Sequence, residues 1–255
     1  MKLTILKIGG KLLDDEEMLS KALEAFSQIK GPKILVHGGG KKGSEISRRL
    51  GIEPQMVDGR RITDAATLEV VTMVYCGLLN KQIVAQLQSF GCNALGLSGP
   101  DGNAIHANLR PSGEVDYGLA GDVDVVNKKL IINLLKKGIT PVFSPITHNG
   151  SGQLLNTNAD TIARMLAAAL SKEFEVTLKF CFEKNGVLLT PDDDSSVMKK
   201  LSKTDYKLFR SNGTISEGMI PKLDNAFAAK KGGVSKVWVC GVGGISQRAG
   251  TKIKI

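Results

Sequence analysis

The chain has 255 residues, 42% hydrophobic and 23% charged, an ordinary globular composition long enough to bury a sizeable core as one large or two modest domains. Its net charge of +9 comes in short runs such as Lys128-Lys129, Lys136-Lys137 and Lys199-Lys200, and aromatics make up only 5%. That balance argues against a base-stacking nucleic-acid surface and leaves two readings, a solvated basic exterior or a field that draws in anions.

Residues 3–8 form a short apolar run that stops at Gly9-Gly10, the pattern of a buried strand entering a tight loop. Residues 15–29 follow with helical spacing (Met18, Leu19, Ala22, Leu23, Phe26), and Pro32 ends them. A second strand, 33–37, runs straight into Gly38-Gly39-Gly40 and a helix over 42–50. This is the sequence form of a βαβ unit. A long helix is predicted over 65–89, then a strand over 93–97, a turn-rich hairpin excursion over 104–125, and a helix over 127–137. Further strands are predicted at 140–144, 176–180, 187–190, 236–240 and 251–255, with an Ala-rich helix at 159–170 and another at 218–231. The alternation predicts an α/β fold, a three-layer α/β/α sandwich with a mostly parallel central sheet. The expected organisation is a single domain over 1–255, with lobes 1–172 and 173–255 on either side of a seam near 171–175.

The cysteines Cys76, Cys92, Cys181 and Cys240 make no CxxC pair, and no His lies at zinc-ligand spacing, so they read as reduced thiols. Residues 1–10 contain no signal-peptide core, and no uninterrupted apolar run approaches the ~18 residues of a membrane span. The expected location is the cytoplasm, with no membrane or nucleic-acid partner.

Several segments carry chemistry beyond what folding asks for. Lys7 closes a buried strand just before two glycines, where a charge is costly unless an anion sits beside it. A strand-end Lys reaching solvent before an ordinary turn explains the motif equally well. Three glycines after His37 place bare N–H groups at a helix start, which favours phosphate or carboxylate, whereas a tight turn needs only one. The segment Asp58-Gly59-Arg60-Arg61-Ile62-Thr63-Asp64 offers a carboxylate-clamping Arg and a cap at Thr63 or Asp64, or is simply a charged turn. Asn156-Thr157-Asn158-Ala159-Asp160 opens an apolar helix and reads first as capping. Lys222 on the first turn of the last long helix opposes the helix dipole, a mild penalty that an anion would remove and that solvent also tolerates.

Taken in order, KIGG, VHGGG, DGRRITDAATLEVV, NKQIV, GLSGPDGNAI, NTNAD and SEGMIPK resemble the amino-acid kinase family, in the branch that acts on N-acylated glutamate, over nearly the whole chain. The resemblance implies ATP-dependent phosphorylation of the side-chain carboxylate of N-acetyl-L-glutamate, with another N-acylglutamate such as N-succinylglutamate, another substrate of the family, or a non-catalytic binding role as alternatives. It implies that Lys7 and Lys222 stabilise the transferring phosphoryl group and that Asp160 holds both lysines. Gly39 and Gly40 match backbone donors at the reacting carboxylate, Arg61 a clamp on the α-carboxylate, and Asn156 a further substrate contact. Lys7, Gly9, Gly10, Glu183, Gly186, Met219 and Lys222 match the nucleotide side. Glu183 stands where the family usually has Asp, and the stretch between Cys240 and Thr251 is short for the family. The implied cofactors are ATP and Mg²⁺, the metal held mainly by the ATP phosphates. The implied assembly is a homodimer. The surplus of apolar residues around helix 65–89 points the same way: Leu68, Val71, Tyr75, Leu78 and Leu79 on one stripe, and Val70, Val74, Ile83, Val84 and Leu87 beside it. With the first strand starting at about residue 3, the resemblance also implies no inhibition by arginine, since arginine-sensitive members carry an extra helix ahead of that strand.

Overall fold

The computed structural model describes residues 1–39, 41–57, 59–190, 193–215 and 217–255, the Glu217 side chain excepted. Strand β1 (Lys2–Ile8) sits at the centre, paired in parallel with β2 (Lys33–His37) on one side and β11 (Glu175–Cys181) on the other. A strand covered on both faces needs apolar side chains almost throughout, and residues 3–8 supply them. The eight-stranded sheet has the order β12 (Lys200–Leu201), β14 (Thr251–Ile253), β13 (Lys236–Cys240), β11, β1, β2, β8 (Thr140–Phe143), β5 (Ala94–Leu97). All pairings are parallel except β13 with β14.

Side-chain parity along β1 builds the layers. Leu3 and Ile5 pack under helices α6 (Ala159–Leu170) and α8 (Ile220–Lys231), among Ile162, Leu166, Leu223 and Phe227. Leu6 and Ile8 face the other way, onto α1 (Glu16–Ser27) and α4 (Asn80–Ser89), among Leu23, Phe26, Ile83 and Leu87. Each fully buried Leu or Ile contributes roughly 1.5–3 kcal/mol. The three-layer sandwich and mostly parallel sheet are as the alternation predicted. Lys7 keeps the parity of Leu3 and Ile5, so it emerges beneath α6 and α8.

The hairpin excursion is present as antiparallel β6 (Ile105–Leu109) and β7 (Ala120–Val126). They close a small four-stranded barrel with β9 (Ile146–His148) and β10 (Leu154–Thr157), two strands too short and polar to carry a periodic signal. The strand expected over 187–190 does not form; only Leu188 bridges, to Val197. Helix α7 (Lys203–Ser211) was not anticipated, although its capping box, Ser202 with Asp205, is written in the sequence.

The long helix spans Ala65–Ser89 and has the length and composition to cross a membrane. It is three pieces in line: α3 (Ala65–Thr72), capped by Asp64, a π-helical stretch over Met73–Leu79, and α4. Of the apolar residues named above on this helix, Leu78 alone is exposed. Leu68, Val71, Tyr75 and Leu79 pack with Ile146, while Ile83 and Leu87 pack on α1. The protomer therefore buries most of the supposed surplus itself. The segment after β13 is fastened from below: the buried Lys179 ammonium donates to the carbonyls of Gly244, Ile245 and Gln247 at 2.7, 2.7 and 2.8 Å.

Candidate active site

Register pairs Ile8 with both His37 and Cys181, so β1, β2 and β11 end level and their loops meet. The carboxyl edge of a parallel sheet is where such folds bind ligands. Two clefts open there. The first, about 430 Å³, is lined by Lys7, Gly9, Gly39, Arg61, Asn156 and Asp160 among others. The second, about 350 Å³, is lined by Phe182, Glu183, Gly186 and Met219 among others. Gly10 and Lys222 border both.

Three charged residues meet at that border. Asn158 caps α6 by accepting from the N–H groups of Asp160 and Thr161 at 2.8 and 3.2 Å, which seats Asp160 in the first turn, where the dipole favours a carboxylate. Asp160 Oδ1 lies 2.9 Å from Lys7 Nζ and 3.9 Å from Lys222 Nζ. Burial pushes the Asp160 carboxyl up, but Lys222 and Lys7 together outweigh it and hold it below the usual carboxylate range. Burial likewise lowers the Lys222 ammonium, opposed by Asp160. Two cations on one buried anion leave a net positive centre between the clefts, ready for a further anion. Gly9 is part of it: a Cβ there would lie 2.3 Å from Lys7 Nζ.

Arg61 reaches the first cleft from the two-residue strand β4 (Arg60–Arg61), which pairs with β3 (Met56–Val57). Its Nη2 donates to Ser44 Oγ at 2.7 Å, and its Nη1 is buried with no hydrogen-bond partner among the described residues. Asn156 uses one amide hydrogen on Thr63 Oγ1 at 3.0 Å, leaving the other and its Oδ1. Gly39 lines the cleft; Gly40 lies outside the described residues. On the second cleft, Glu183 approaches Gly10, whose hypothetical Cβ would be 3.3 Å from Glu183 Oε2. Gly186 is explained by packing as well as by its place on the cleft, since a Cβ there would lie 2.7 Å from Val197 Cγ1.

The sequence pattern of the Amino acid kinase family matches residues 2–241. The chain belongs to the amino acid kinase family. It is 52% identical over 252 residues to the acetylglutamate kinase of Parabacteroides distasonis, covering 99% of both chains. It is 54% identical over 240 residues to that of Cytophaga hutchinsonii, covering 94% of this chain and 91% of the relative. Among solved structures it resembles N-acetylglutamate synthase from Neisseria gonorrhoeae complexed with coenzyme A and N-acetyl-glutamate, with a TM-score of 0.82 at 21% identity, over 99% of this chain and 59% of that one. The last likeness is one of fold.

Other residues of this kinase at the first cleft escaped the sequence reading. Tyr75 reads in the sequence as an ordinary member of an apolar stripe, yet its ring lies against Gly39 and Gly43, where Cβ atoms would come within 2.0 and 2.7 Å of the side chain. Burial raises the Tyr75 hydroxyl, and Arg61 opposes the rise. Arg110 and Tyr117, stacked at 5.4 Å, line the same cleft from the β6–β7 excursion. No local pattern marks them, because the barrel that brings them there is built from distant segments.

Proposed function

We propose that this amino acid kinase transfers the γ-phosphoryl group of ATP to the side-chain carboxylate of N-acetyl-L-glutamate, a step of arginine biosynthesis, giving an acyl phosphate. Its full-length likeness to acetylglutamate kinases supports the reading. The observation that carries it is the Lys7–Asp160–Lys222 centre on the border of two clefts. A glutamate side chain, with pKa about 4.3, is already ionised at neutral pH and needs no base. The obstacle is the approach of one anion to another. Lys7 and Lys222 offset that repulsion and stabilise charge on the transferring group, and Asp160 holds the two ammonium groups in place rather than taking a proton. In this reading Gly39 and Gly40 donate N–H groups to the reacting carboxylate, Arg61 and Asn156 hold the rest of the substrate, and Gly9, Gly10, Glu183, Gly186 and Met219 surround the nucleotide.

Mg²⁺ belongs to this reading. Among the described residues no group of three or more His, Cys, Asp or Glu converges. Asp160 is engaged by two lysines, and Asp14 accepts from the Lys41 N–H at 2.8 Å. The donor set therefore suits an ion carried by the ATP phosphates, where it withdraws charge from the transferred group. Residues 1–172 supply most of the acyl-glutamate cleft and 173–255 most of the nucleotide cleft, which supports the two-lobe division. Four free cysteines are in keeping with a cytoplasmic location.

The test is ADP release with N-acetyl-L-glutamate, N-succinyl-L-glutamate, free glutamate and aspartate. Turnover with the acetylated substrate, and far less with free glutamate or aspartate, is the expected result; preference for an unacylated amino acid, or binding of ATP without turnover, overturns the reading. Arg61→Ala is expected to raise the KM for N-acetyl-L-glutamate by on the order of 10²-fold, with a smaller effect on ATP, because a buried guanidinium bond to a carboxylate is lost from ground and transition states alike. An unchanged KM assigns the clamp elsewhere.

The homodimer is also part of the reading, now supported by fewer exposed apolar side chains. Met73 and Leu78 on the outer face of the long helix are exposed, as is Leu95 on the sheet's edge strand β5. An open sheet edge and exposed apolar side chains on a helix each favour a second copy. Light scattering at micromolar concentration is expected to give twice the chain mass, falling toward one chain in Leu78→Asp; a monomer in the unmodified protein contradicts the dimer.

A further inference from the structure

Asn80, in the NKQIV segment, and His37, ahead of the glycine loop, have no role in the mechanism above, yet both are almost wholly buried. On β2, Ile34 and Val36 pack on the α6–α8 side, and Leu35 on the α1–α4 side. His37 follows the parity of Leu35 and meets Asn80, the first residue of α4. Asn80 Nδ2 lies 3.0 Å from the Val142 carbonyl and 3.1 Å from His37 Nε2. A carbonyl only accepts, so the amide nitrogen, not Oδ1, is on that side. Its second hydrogen goes to His37 Nε2, which therefore carries no proton. The ring proton is on Nδ1 and is donated to the Gly38 carbonyl at 2.8 Å. Burial drives the ring pKa down to about 4, and the charged groups facing it, Lys7 on β1 and Lys81 on α4, push the same way. The ring is neutral at physiological pH, with one tautomer fixed.

That tautomer orients a peptide. The Gly38 N–H donates to the Ile8 carbonyl at 3.1 Å, and its carbonyl is held by His37, so the residue is pinned on both sides. In a trans peptide the next N–H points opposite to the carbonyl. The Gly39 N–H is thereby turned away from His37, and it has no acceptor among the described residues. Tyr75 fills the space that a side chain at Gly39 would need. Tyr75 and Asn80 are five residues apart, about 140° around a regular α-helix, and both could not face one loop. The π-helical stretch Met73–Leu79 closes its turns between residues five apart and brings the two onto one side.

We propose that this π turn is a positioning device: it sets Tyr75 and Asn80 together against the glycine loop, and through Asn80 it locks His37 as the neutral Nδ1–H tautomer that aims the Gly39 N–H at the carboxylate being phosphorylated. The last clause rests on the proposed function; the lock itself does not. His37 is a positioning residue, not a base.

The test combines ¹⁵N NMR of the histidine-labelled full chain with three variants. In the unmodified protein His37 should carry its proton on Nδ1, unchanged between about pH 6 and 9. Asn80→Asp puts an acceptor-only carboxylate beside Nε2 and draws a proton there. While the ring is doubly protonated, Nδ1–H still holds Gly38; once the ring loses a proton with rising pH, Nε2 keeps the remaining one and the hold is lost. The kcat of Asn80→Asp should therefore fall with rising pH by on the order of 10²-fold, with little change in either KM. His37→Gln, whose amide reaches the Nε2 position, should lose kcat by a similar order, about 10²-fold, and His37→Asn, which restores a donor near Nδ1, should recover most of it. A pH-independent loss in Asn80→Asp, equal kcat in His37→Asn and His37→Gln, or a proton on Nε2 in the unmodified protein overturns the proposal. Should Asn80→Asp fail to fold, the NMR measurement and the His37 pair still decide. If the unmodified protein fails to phosphorylate N-acetyl-L-glutamate, the functional reading falls, and the tautomer measurement still decides the lock.

Discussion

Lys222→Ala is expected to lower kcat by on the order of 10²–10³-fold, and Lys7→Ala by a similar factor, with a much smaller effect on acyl-glutamate binding. The reason is position. Lys222 borders both clefts, and Lys7 lines the first, so each ammonium faces the place where charge moves from nucleotide to acceptor. Asp160 holds both before any ligand arrives, so little reorganisation is needed during transfer. Lys222→Arg is expected to be a poor substitute, because a planar fork cannot occupy the site of a compact ammonium packed 5.6 Å from the Phe182 ring. Steady-state kinetics with both substrates checks this. A loss of tenfold or less in both alanine variants contradicts the assignment.

Asp160→Ala is expected to fail twice. It leaves two buried or nearly buried cations without their anion, a change that costs about 3–5 kcal/mol of stability. It also removes the group that fixes them, so kcat falls by the same order as for either lysine. Urea denaturation measures the first effect and kinetics the second. The pH dependence follows from the sign of the shift. The folded Asp160 carboxyl lies below its ordinary value, so its stabilising contribution is fully present above the usual carboxylate range. That contribution is lost only as pH falls through the lower folded value. No titration of Asp160 should therefore appear in kcat between about pH 5 and 9. ATP should raise the melting temperature of Asp160→Ala by more than that of the unmodified protein, since its phosphates replace the missing negative charge. An equal shift in both would mean that the lysines do not face the nucleotide.

The layers were legible because both of their signals are local. The apolar run 3–8 and the glycines after each early strand announce a buried parallel sheet and its ligand-facing loops. Lys7 and Lys222 stand out because each is a charge in a place that costs free energy, whereas Asp160 reads as an ordinary helix-start residue and gains its role only from the family resemblance. The π turn was not legible. Its residues, Met73–Leu79, have the same apolar character as the α-helix on either side, and an extra residue per turn leaves no mark in composition. Tyr75 therefore reads as core, and Asn80, although it opens the NKQIV motif, carries no role that the sequence assigns. The surplus of apolar residues on this helix is smaller than its sequence suggests for a related reason: Ile146, on a strand too short to be read, packs with Leu68, Val71, Tyr75 and Leu79, while α1 covers Ile83 and Leu87. The strand expected at 187–190 was misjudged because a short apolar run says nothing about whether a partner is within reach.

The central claim is that the product is an acyl phosphate formed on N-acetyl-L-glutamate. Acyl phosphates are intercepted by hydroxylamine as hydroxamates, whereas phosphate esters are not. With ATP, magnesium and N-acetyl-L-glutamate, the unmodified protein should yield a hydroxamate in one-to-one proportion with ADP, and Lys222→Ala should yield almost none. ADP released without hydroxamate, or hydroxamate formed from free glutamate as readily as from its N-acetyl derivative, would contradict the account.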